Sequence, residues 1–264
     1  MKHQARKRFG QNFLTDESAI AAIIAAIHPA RGECLIEIGP GLGALTRPLL
    51  AAAGALQAIE IDRDLAQGLQ QEFGTCLDLH ATDVLNFDFA TVGADLRVIG
   101  NLPYNISTPL LFHLAEYSDR IRDIHVMLQK EVVERMVAAP GDSEYSRLSV
   151  MLQYRFALEK LLDVPAAAFD PVPKVDSAVI RLTPLRPLPC VARDEAQFAR
   201  VVATAFSQRR KTLRNSLRTL IAEPAFDALG IRPAARAQEL SVAQFVALAD
   251  YLTGGAELSA GEKA

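Results

Sequence analysis

Asn101-Leu102-Pro103-Tyr104 combines a side-chain amide, a rigid proline and an aromatic ring directly after the apolar run 96–100. An amide oxygen accepts hydrogen bonds from an amine, and an aromatic face stacks on a nucleobase. Proline has a fixed backbone torsion and no N–H donor, so nearby carbonyl groups can turn toward a ligand. The segment therefore predicts a site for a flat, amine-bearing base, although an ordinary turn between a strand and a helix uses the same residue types.

The elements that must position this segment alternate between strand and helix over the first two thirds of the chain. Apolar strand patterns lie at 35–38, 56–61, 76–79, 96–99 and 124–128, with helical patterns such as 45–53 and 64–73 between them. Strands separated by helices indicate right-handed crossovers and a parallel, doubly wound sheet. We expect further strands at 157–164 and 177–182 to close the sheet with an antiparallel edge.

The pattern changes after a group of prolines, Pro184, Pro187 and Pro189, which mark a hinge. Helices are predicted beyond it at 195–206, 211–221 and 242–252, with a turn at Gly230 and a small, polar tail from 254 that we expect to fray. The predicted fold class is therefore α/β, with a Rossmann-like domain at 1–184 and a small all-helical domain at 185–264.

Composition restricts the class of protein. The chain has 264 residues, 50% of them hydrophobic and 22% charged, and no apolar stretch approaches the ~20 residues of a membrane span. No apolar signal core follows the basic N-terminus, and Cys34, Cys76 and Cys190 lack metal-binding spacing. These features predict a cytoplasmic protein with no membrane partner and no metal.

Positive charge is concentrated in two segments, although the net charge of the chain is −3. One is the N-terminus, and the other runs from 196 to 222, where no Asp or Glu occurs. Arg210, Arg214 and Arg218 recur at every fourth position and would share one helix face. Leu213, Leu217 and Leu220 mark the opposite, packed face. Such a stripe can neutralise phosphates, whereas a charge run is also typical of a solvated face.

A glycine-rich loop, Glu37-Ile38-Gly39-Pro40-Gly41-Leu42-Gly43, follows the first strand. Glycines at this place permit a tight turn and the close approach of the backbone to a nucleotide. The loop also satisfies the dinucleotide fingerprint GxGxxA. An NAD-dependent oxidoreductase is therefore an alternative that the glycines do not exclude.

Acidic residues stand at the ends of successive strands: Glu37 before the loop, Glu60 after the second strand and Asp83 after the third. In open α/β sheets these strand ends line one crevice. Glu60 can accept hydrogen bonds from both ribose hydroxyls, and Asp83 from an adenine amine. The loop resembles that of S-adenosylmethionine-dependent methyltransferases, and the five histidines show no proton-transfer constellation that an oxidoreductase would need.

With these motifs in place, the chain resembles the ribosomal RNA adenine N6,N6-dimethyltransferases, in particular their bacterial small-subunit (16S) branch. The likeness runs from about residue 8 to about residue 252. It is carried by 11–14, 37–43, 60–62, 83–84, 101–108, 169–177 and 206–215. The last two segments are the strongest evidence: 169–177 matches a motif largely restricted to this family, and 206–215 matches the signature that opens its C-terminal domain.

The resemblance implies roles for individual residues. The residues that would contact S-adenosylmethionine are Asn12, Leu14, Gly39, Glu60, Asp83 and Asn101. The residues that would act on adenine are Asn101 and Leu102, which accept its amine hydrogens, and Tyr104 and Phe169, which sandwich the ring. The residues expected to bind RNA are Arg209, Arg210, Lys211, Arg214 and Arg218.

The implied activity is dimethylation of N6 of two adjacent adenosines in the 3′-terminal hairpin loop of 16S rRNA. The resemblance implies a monomeric enzyme that uses S-adenosylmethionine, no metal, and the small ribosomal subunit as partner late in 30S biogenesis. Two alternatives of other kinds stay open from the residues alone. One is a large-subunit rRNA adenine methyltransferase of the same fold, and the other is an assembly factor whose binding outweighs its catalysis.

Overall fold

The structure, a computed structural model, describes residues 11–208 and 210–261. These residues divide into two compact units, the first within 1–133 and 157–184 and the second within 134–156 and 185–264. The strands are β1 (Phe13–Leu14), β2 (Leu35–Ile38), β3 (Leu56–Ile59), β4 (Leu77–His80), β5 (Leu96–Asn101), β6 (Ile121–Gln129), β7 (Phe156–Val164), β8 (Phe169–Asp170) and β9 (Ser177–Pro184).

The helices alternate with the strands in the first half of the chain and follow one another in the last third. They are α1 (Glu17–Ile27), α2 (Thr46–Ala53), α3 (Arg63–Phe73), α4 (Ser107–Glu116), α5 (Lys130–Val137), α6 (Arg147–Gln153), α7 (Glu195–Phe206), α8 (Leu213–Ser216), α9 (Glu223–Ala228) and α10 (Val242–Gly261). Among the described residues, no helix is long and apolar enough to cross a membrane.

The first unit is built on a seven-stranded sheet with the order β4-β3-β2-β5-β6-β9-β7. The pairs from β4 to β6 are parallel, and β6 pairs with β9 antiparallel. All residues of β2 are buried, as expected for a strand that is covered on both faces. The predicted doubly wound α/β sheet with an antiparallel edge strand is confirmed.

The direction of winding reverses between β2 and β5, which are neighbours in the sheet but are separated in the chain by β3 and β4. In open α/β sheets, a crevice forms at such a point, outside the carboxyl ends of the strands. The glycine loop follows β2, and Asn101 ends β5. The topology therefore brings these two motifs to one crevice.

A second, two-stranded sheet is formed by β1 and β8, which pair antiparallel with Leu14 opposite Phe169. The sequence analysis did not predict this sheet, because two-residue strands have no recognisable periodicity. Thr15 extends the connection by donating its backbone N–H to the carbonyl oxygen of Ala168 at 2.9 Å. The N-terminal motif 11–14 is thereby attached to the start of the motif 169–177.

The second unit contains more of the chain than the predicted all-helical domain. Residues 134–156, which the sequence analysis placed in the first domain, group with 185–264. The reason is burial: Tyr145, Val150 and Tyr154 pack in the same apolar cluster as Phe198 and Phe245 of α7 and α10. The chain changes from one unit to the other after residues 133, 156 and 184, and the change of pattern in the sequence marks only the last of these points.

The helix predicted at 211–221 is also corrected, because α8 spans only Leu213–Ser216. The backbone N–H groups of Leu213 and Arg214 donate to the carbonyls of Ala235 and Pro233, at 2.8 and 3.1 Å. This pairing fixes where the helix begins, so tertiary contacts override helix propensity here. Leu213 and Leu217 are nevertheless fully buried, as their spacing predicts.

The last helix is longer than predicted, because α10 continues to Gly261. The first part of the predicted tail, from 254 to 261, is therefore helical. Residues 262–264 of that tail lie outside the described part of the chain.

Candidate functional site

A cavity of about 280 Å³ opens at the carboxyl ends of β2, β3 and β5 in the first unit. It is lined by all of the predicted cofactor-binding residues and by three of the four predicted catalytic residues: Asn12, Leu14, Gly39, Glu60, Asp83, Asn101, Leu102 and Tyr104. The structure thus brings together residues that are up to 92 positions apart in the chain (from Asn12 to Tyr104). The positions and surroundings of these residues define a candidate nucleotide site.

The glycine loop forms one wall of this cavity. Gly39 and Gly41 have φ of 65° and 60°, values that residues other than glycine rarely adopt. The Phe13 ring lies against Gly41 so closely that an added Cβ would come within 3.1 Å of the ring. Phe13, to which the sequence analysis gave no chemical role, therefore covers this loop.

Glu37 lies beneath the loop and is buried, with 2% of its surface exposed. The Thr46 hydroxyl donates a hydrogen bond to its carboxylate at 2.7 Å. Burial raises the pKa of Glu37 to about 7; the Thr46 hydrogen bond opposes this rise and the nearby Glu60 carboxylate adds to it. The side chain therefore carries a proton over part of the neutral pH range.

Glu60 is also buried, and its carboxylate accepts the backbone N–H groups of Asp62 at 2.9 Å and Gly41 at 3.2 Å. Burial raises the pKa of Glu60, against the effect of these two donors. The bond to Gly41 ties the end of β3 to the glycine loop. Each carboxylate oxygen can accept a second hydrogen bond, so Glu60 can also bind a ligand hydroxyl.

Asp83 follows β4 and begins a short 3₁₀ turn, with its carboxylate accepting the backbone N–H of Leu85 at 3.0 Å. That hydrogen bond fixes the carboxylate at the cavity wall. Exposed apolar side chains, Leu42 and Ile61, also line the cavity. Carboxylates beside apolar surface suit a ligand with a flat ring, an amine and hydroxyl groups.

Asn101 ends β5, and its amide nitrogen donates to the backbone carbonyl oxygen of Asn12 at 3.1 Å. A backbone carbonyl can only accept, so it must face the amide nitrogen. The amide oxygen of Asn101 is thereby left to accept hydrogen bonds from a ligand. The next residue is held as well, since Leu102 donates its backbone N–H to the Met127 carbonyl at 3.1 Å.

Gly100 sets how closely β5 approaches β2. A Cβ at this position would lie 2.7 Å from the backbone oxygen of Ile38 and 2.9 Å from the Leu102 side chain. The sequence pattern does not reveal this requirement, because an alanine would also suit an apolar strand. Gly100 therefore supports the site without lining it.

Phe169 is the fourth residue that the sequence analysis assigned to the adenine. It is buried, with 3% of its surface exposed, and it packs in the apolar cluster that contains Leu14, Met127 and Val179. It is not among the residues that line the cavity, whereas Leu14, its partner in the β1–β8 pair, is. In this structure Phe169 therefore contributes to the packing of β8 against the core.

Sequence reasoning missed two polar residues that support the site. Gln11 donates its side-chain amide to the Asp62 carboxylate at 3.2 Å, and the Ser177 hydroxyl lies 2.8 Å from that of Tyr104. The signal for both was their position at the edge of a family motif, 11–14 and 169–177. Which residue each of them contacts depends on the fold.

The predicted RNA-binding residues lie in the second unit. Arg210, Lys211 and Arg218 are exposed, and Arg214 is an exposed residue that pairs with Glu223 at 2.9 Å. Arg209 lies outside the described residues. Because α8 contains only Arg214, the described basic residues do not form a stripe on one helix: Arg210 and Arg218 lie in turns and Lys211 in a bend.

A further arginine joins this basic segment. Thr212 pairs with Arg236 in an isolated antiparallel bridge, and Arg236 is exposed. This bridge brings the segment 232–236 beside 210–214. The basic surface of the second unit is therefore composed of two chain segments.

Comparison with known proteins is consistent with this geometry. Residues 2–254 match the family model described as ribosomal RNA adenine dimethylase. The chain is 60% identical to the ribosomal RNA small subunit methyltransferase A of Thiobacillus denitrificans, over 95% of this chain and 98% of that protein. It is 58% identical to the protein of that name from Aromatoleum aromaticum, over 95% of each chain.

Solved structures are similar over nearly the whole chain. A dimethyladenosine transferase from Plasmodium falciparum superposes with a TM-score of 0.78 at 25% identity, over 89% of this chain and 95% of that chain. The 23S rRNA methyltransferase ErmE superposes with a TM-score of 0.71 at 26% identity, over 92% and 100% of the two chains. The resemblance predicted from the motifs is confirmed: this chain belongs to the ribosomal RNA adenine dimethylase family.

Proposed function

We propose that this protein uses S-adenosylmethionine to dimethylate N6 of two adjacent adenosines in the 3′-terminal hairpin loop of small-subunit (16S) rRNA. The observation that carries the proposal is the fixed Asn101 amide, whose oxygen is left to accept at a cavity that Glu60 and Asp83 also line. The relatives named as small-subunit methyltransferases support the choice of subunit. The small ribosomal subunit as partner, a monomeric state and a cytoplasmic location are part of this proposal.

The residues that line the cavity offer hydrogen-bond acceptors that match the donors of S-adenosylmethionine. Gly39 lines the cavity at a φ of 65°, and without a side chain its backbone can lie close to a ligand. Glu60 can accept hydrogen bonds from ribose hydroxyls, and Asp83 from the adenine amine of the cofactor. Asn12, Leu14, Gly39 and Asn101 would supply the remaining contacts.

When bound, S-adenosylmethionine supplies a methyl group on a positively charged, electrophilic sulfonium. The residues of the chain must then orient the nitrogen of the target adenine, whose lone pair is delocalised into the ring. Hydrogen bonds from the amine to the Asn101 amide oxygen and the Leu102 carbonyl favour a tetrahedral nitrogen with a directed lone pair. Orientation of this kind contributes roughly 7–11 kcal/mol in favourable cases.

The target adenine needs a surface on which to stack, and Tyr104 provides one at the cavity wall. Stacking on an aromatic side chain contributes ~1–3 kcal/mol per base. Phe169, buried against Leu14 and Met127, would hold β8 in place rather than form the second side of a sandwich. A base in a hairpin loop is more easily turned out of its stack than one in a duplex, which favours a loop as target.

The exposed basic residues of the second unit would bind the RNA backbone. Arg210, Lys211 and Arg218 are the strongest candidates, because Arg214 already pairs with Glu223. Each contact of this kind displaces counterions from the phosphates and makes affinity depend on salt. We therefore assign RNA binding to this unit and the chemistry to the first.

The proposal is tested by incubating the protein with labelled S-adenosylmethionine and small subunits that lack the modification. We expect label in dimethyladenosine of the terminal hairpin, and none with the Asn101→Ala variant. Large subunits serve as the substrate control. Label in large-subunit rRNA, or no dimethyladenosine from a protein that binds the cofactor, would overturn the proposal.

A further inference from the structure

We propose that Ser177 positions the Tyr104 ring for the target adenine, through the hydrogen bond between their hydroxyl groups. This inference rests on the proposed function and assigns a role to Ser177, the last residue of the motif 169–177, which the sequence analysis did not place among the site residues. The two oxygen atoms lie 2.8 Å apart. Ser177 is fully buried, whereas Tyr104 lines the cavity, so the bond connects the core of the unit to the cavity wall.

Tyr104 is held at both of its ends. At the backbone end, its carbonyl oxygen accepts the Ser107 hydroxyl at 3.1 Å, at the start of α4. At the other end, the phenol oxygen meets Ser177. A tyrosine anchored only at its backbone can still change its side-chain torsions between rotamers. The second anchor fixes the plane of the ring, on which stacking depends.

The strand β6 supports both the predicted acceptors and the Ser177 anchor. Met127 of β6 pairs with Asn101 and accepts the backbone N–H of Leu102. Gln129, two residues further along β6, is opposite Ser177 on β9. Two residues of a strand span about 7 Å, so one rigid element fixes the distance between the amine acceptors and the Tyr104 ring.

The position of Ser177 is fixed by its neighbour in the chain. Asp176 accepts two backbone N–H groups. Its backbone carbonyl oxygen accepts that of Lys130 at 3.0 Å, and its carboxylate accepts that of Ala166 at 2.9 Å. The hydroxyl of Ser177 therefore enters the core at a defined place. Rotation of Tyr104 away from it would leave a buried hydroxyl without this partner, which is unfavourable.

The inference is tested by a double-mutant cycle with Ser177→Ala, Tyr104→Phe and the two combined. Tyr104→Phe keeps the aromatic face and removes only the hydroxyl, so it isolates the anchor from the stacking surface. We expect each single variant to raise the KM for unmodified small subunits by about 3- to 10-fold, and the double variant by no more than that. The affinity for S-adenosylmethionine alone should stay unchanged in all three.

A matched control is Ser149→Ala, which removes another fully buried serine hydroxyl, in this case one that donates to the Arg135 carbonyl in the second unit. We expect it to lower stability without raising this KM.

Independent, multiplicative effects of the two substitutions, or an unchanged KM in Ser177→Ala, would overturn the inference. If Ser177→Ala does not fold, a wild-type KM in Tyr104→Phe overturns it equally. A wild-type protein that methylates no RNA would instead overturn the proposed function, so the two failures are distinguishable.

Discussion

The side-chain amide of Asn101 is oriented by the backbone carbonyl of Asn12, with 3.1 Å between the nitrogen and the oxygen. These residues are 89 positions apart in the chain. The pairing of β1 with β8 holds the N-terminal segment in place. Orientation of the predicted catalytic amide is therefore a property of the tertiary structure and not of the motif 101–104 alone.

Asn101→Asp tests the hydrogen bond that orients the Asn101 side chain, from its amide nitrogen to the Asn12 carbonyl oxygen. The variant keeps a side-chain oxygen but replaces the N–H donor with a carboxylate that repels the Asn12 carbonyl. We expect methyl transfer to fall by about 10²- to 10³-fold, as for the loss of a preorganised polar group in other active sites. Single-turnover rates at saturating cofactor measure the effect. Activity close to wild type would show that the anchor to Asn12 is unnecessary.

Gly100→Ala tests the close approach of β5 to β2. The added Cβ would lie 2.7 Å from the Ile38 oxygen, so we expect the free energy of unfolding to fall by about 1–3 kcal/mol together with activity. The matched control is Gly68→Ala, on the exposed face of α3, where nothing lies within 4 Å of the added atom. Denaturant titration should show that this control is stabilised by about 0.4–1 kcal/mol. Equal effects of the two substitutions would contradict the argument.

Glu37→Gln tests the buried carboxyl group through the pH dependence of stability. Folding raises the pKa of Glu37 from 4.5 to about 7, so the folded state keeps a proton that the unfolded state releases between these values. Wild-type stability should therefore fall as pH rises from 4.5 to 7, and the glutamine variant should lack this contribution.

From pH 4 to pH 8, the free energy of unfolding of the variant should rise by roughly 2–3 kcal/mol relative to that of wild type, since one pKa unit corresponds to about 1.36 kcal/mol. Urea unfolding at both pH values measures the difference. Glu134→Gln, on an exposed position, controls for the removal of a charge. A constant difference between wild type and Glu37→Gln across this range would refute the prediction.

Phe169→Ala separates packing from base stacking. Because Phe169 is buried, we expect truncation to lower the free energy of unfolding by about 3–5 kcal/mol. Tyr104→Ala, at a half-buried position, should lower it less and should mainly raise the KM for RNA. Thermal unfolding and steady-state kinetics distinguish the two variants. A stable Phe169→Ala protein with only an RNA defect would restore Phe169 to the base site.

Arg210→Ala combined with Lys211→Ala tests the basic segment of the second unit. Both residues are exposed, so we expect weaker RNA binding and a slope of log affinity against log salt that is smaller by about 2. Arg31→Ala, an exposed arginine of the first unit before β2, should leave the slope unchanged. Binding to a hairpin RNA at several salt concentrations gives the slopes. Identical slopes for the double variant and wild type would exclude phosphate contacts by this pair.

Much of the first unit follows from local patterns. The apolar runs at 35–38 and 96–99 have the composition of strands covered on both faces, and the helices between such strands require parallel pairing. That pairing brings Glu60 and Asp83 to the edge of the sheet where the glycine loop lies. These residues line one cavity, because the carboxyl ends of neighbouring parallel strands necessarily meet.

The features that the sequence analysis did not predict depend on contacts between segments that are distant in the chain. The start of α8 is set by the carbonyl groups of Pro233 and Ala235. The grouping of residues 134–156 with the second unit is set by the burial of Tyr145 and Tyr154 in its apolar cluster. No local periodicity encodes either contact. Phe169 could equally be a core or a stacking residue from its type alone, and only its burial in the cluster with Leu14 and Met127 favours the packing role.

The sequence by itself determined the family and the α/β class and predicted residues that line one cavity, because strand order and motif spacing are local and repeated signals. Only the tertiary structure decided which of those residues face the cavity and what holds them. The Asn101 amide, the Tyr104 hydroxyl and the Gly41 backbone N–H are hydrogen-bonded to Asn12, Ser177 and Glu60. The physical reason is that hydrogen bonds and close packing join atoms that are neighbours in space, whatever their separation in the chain.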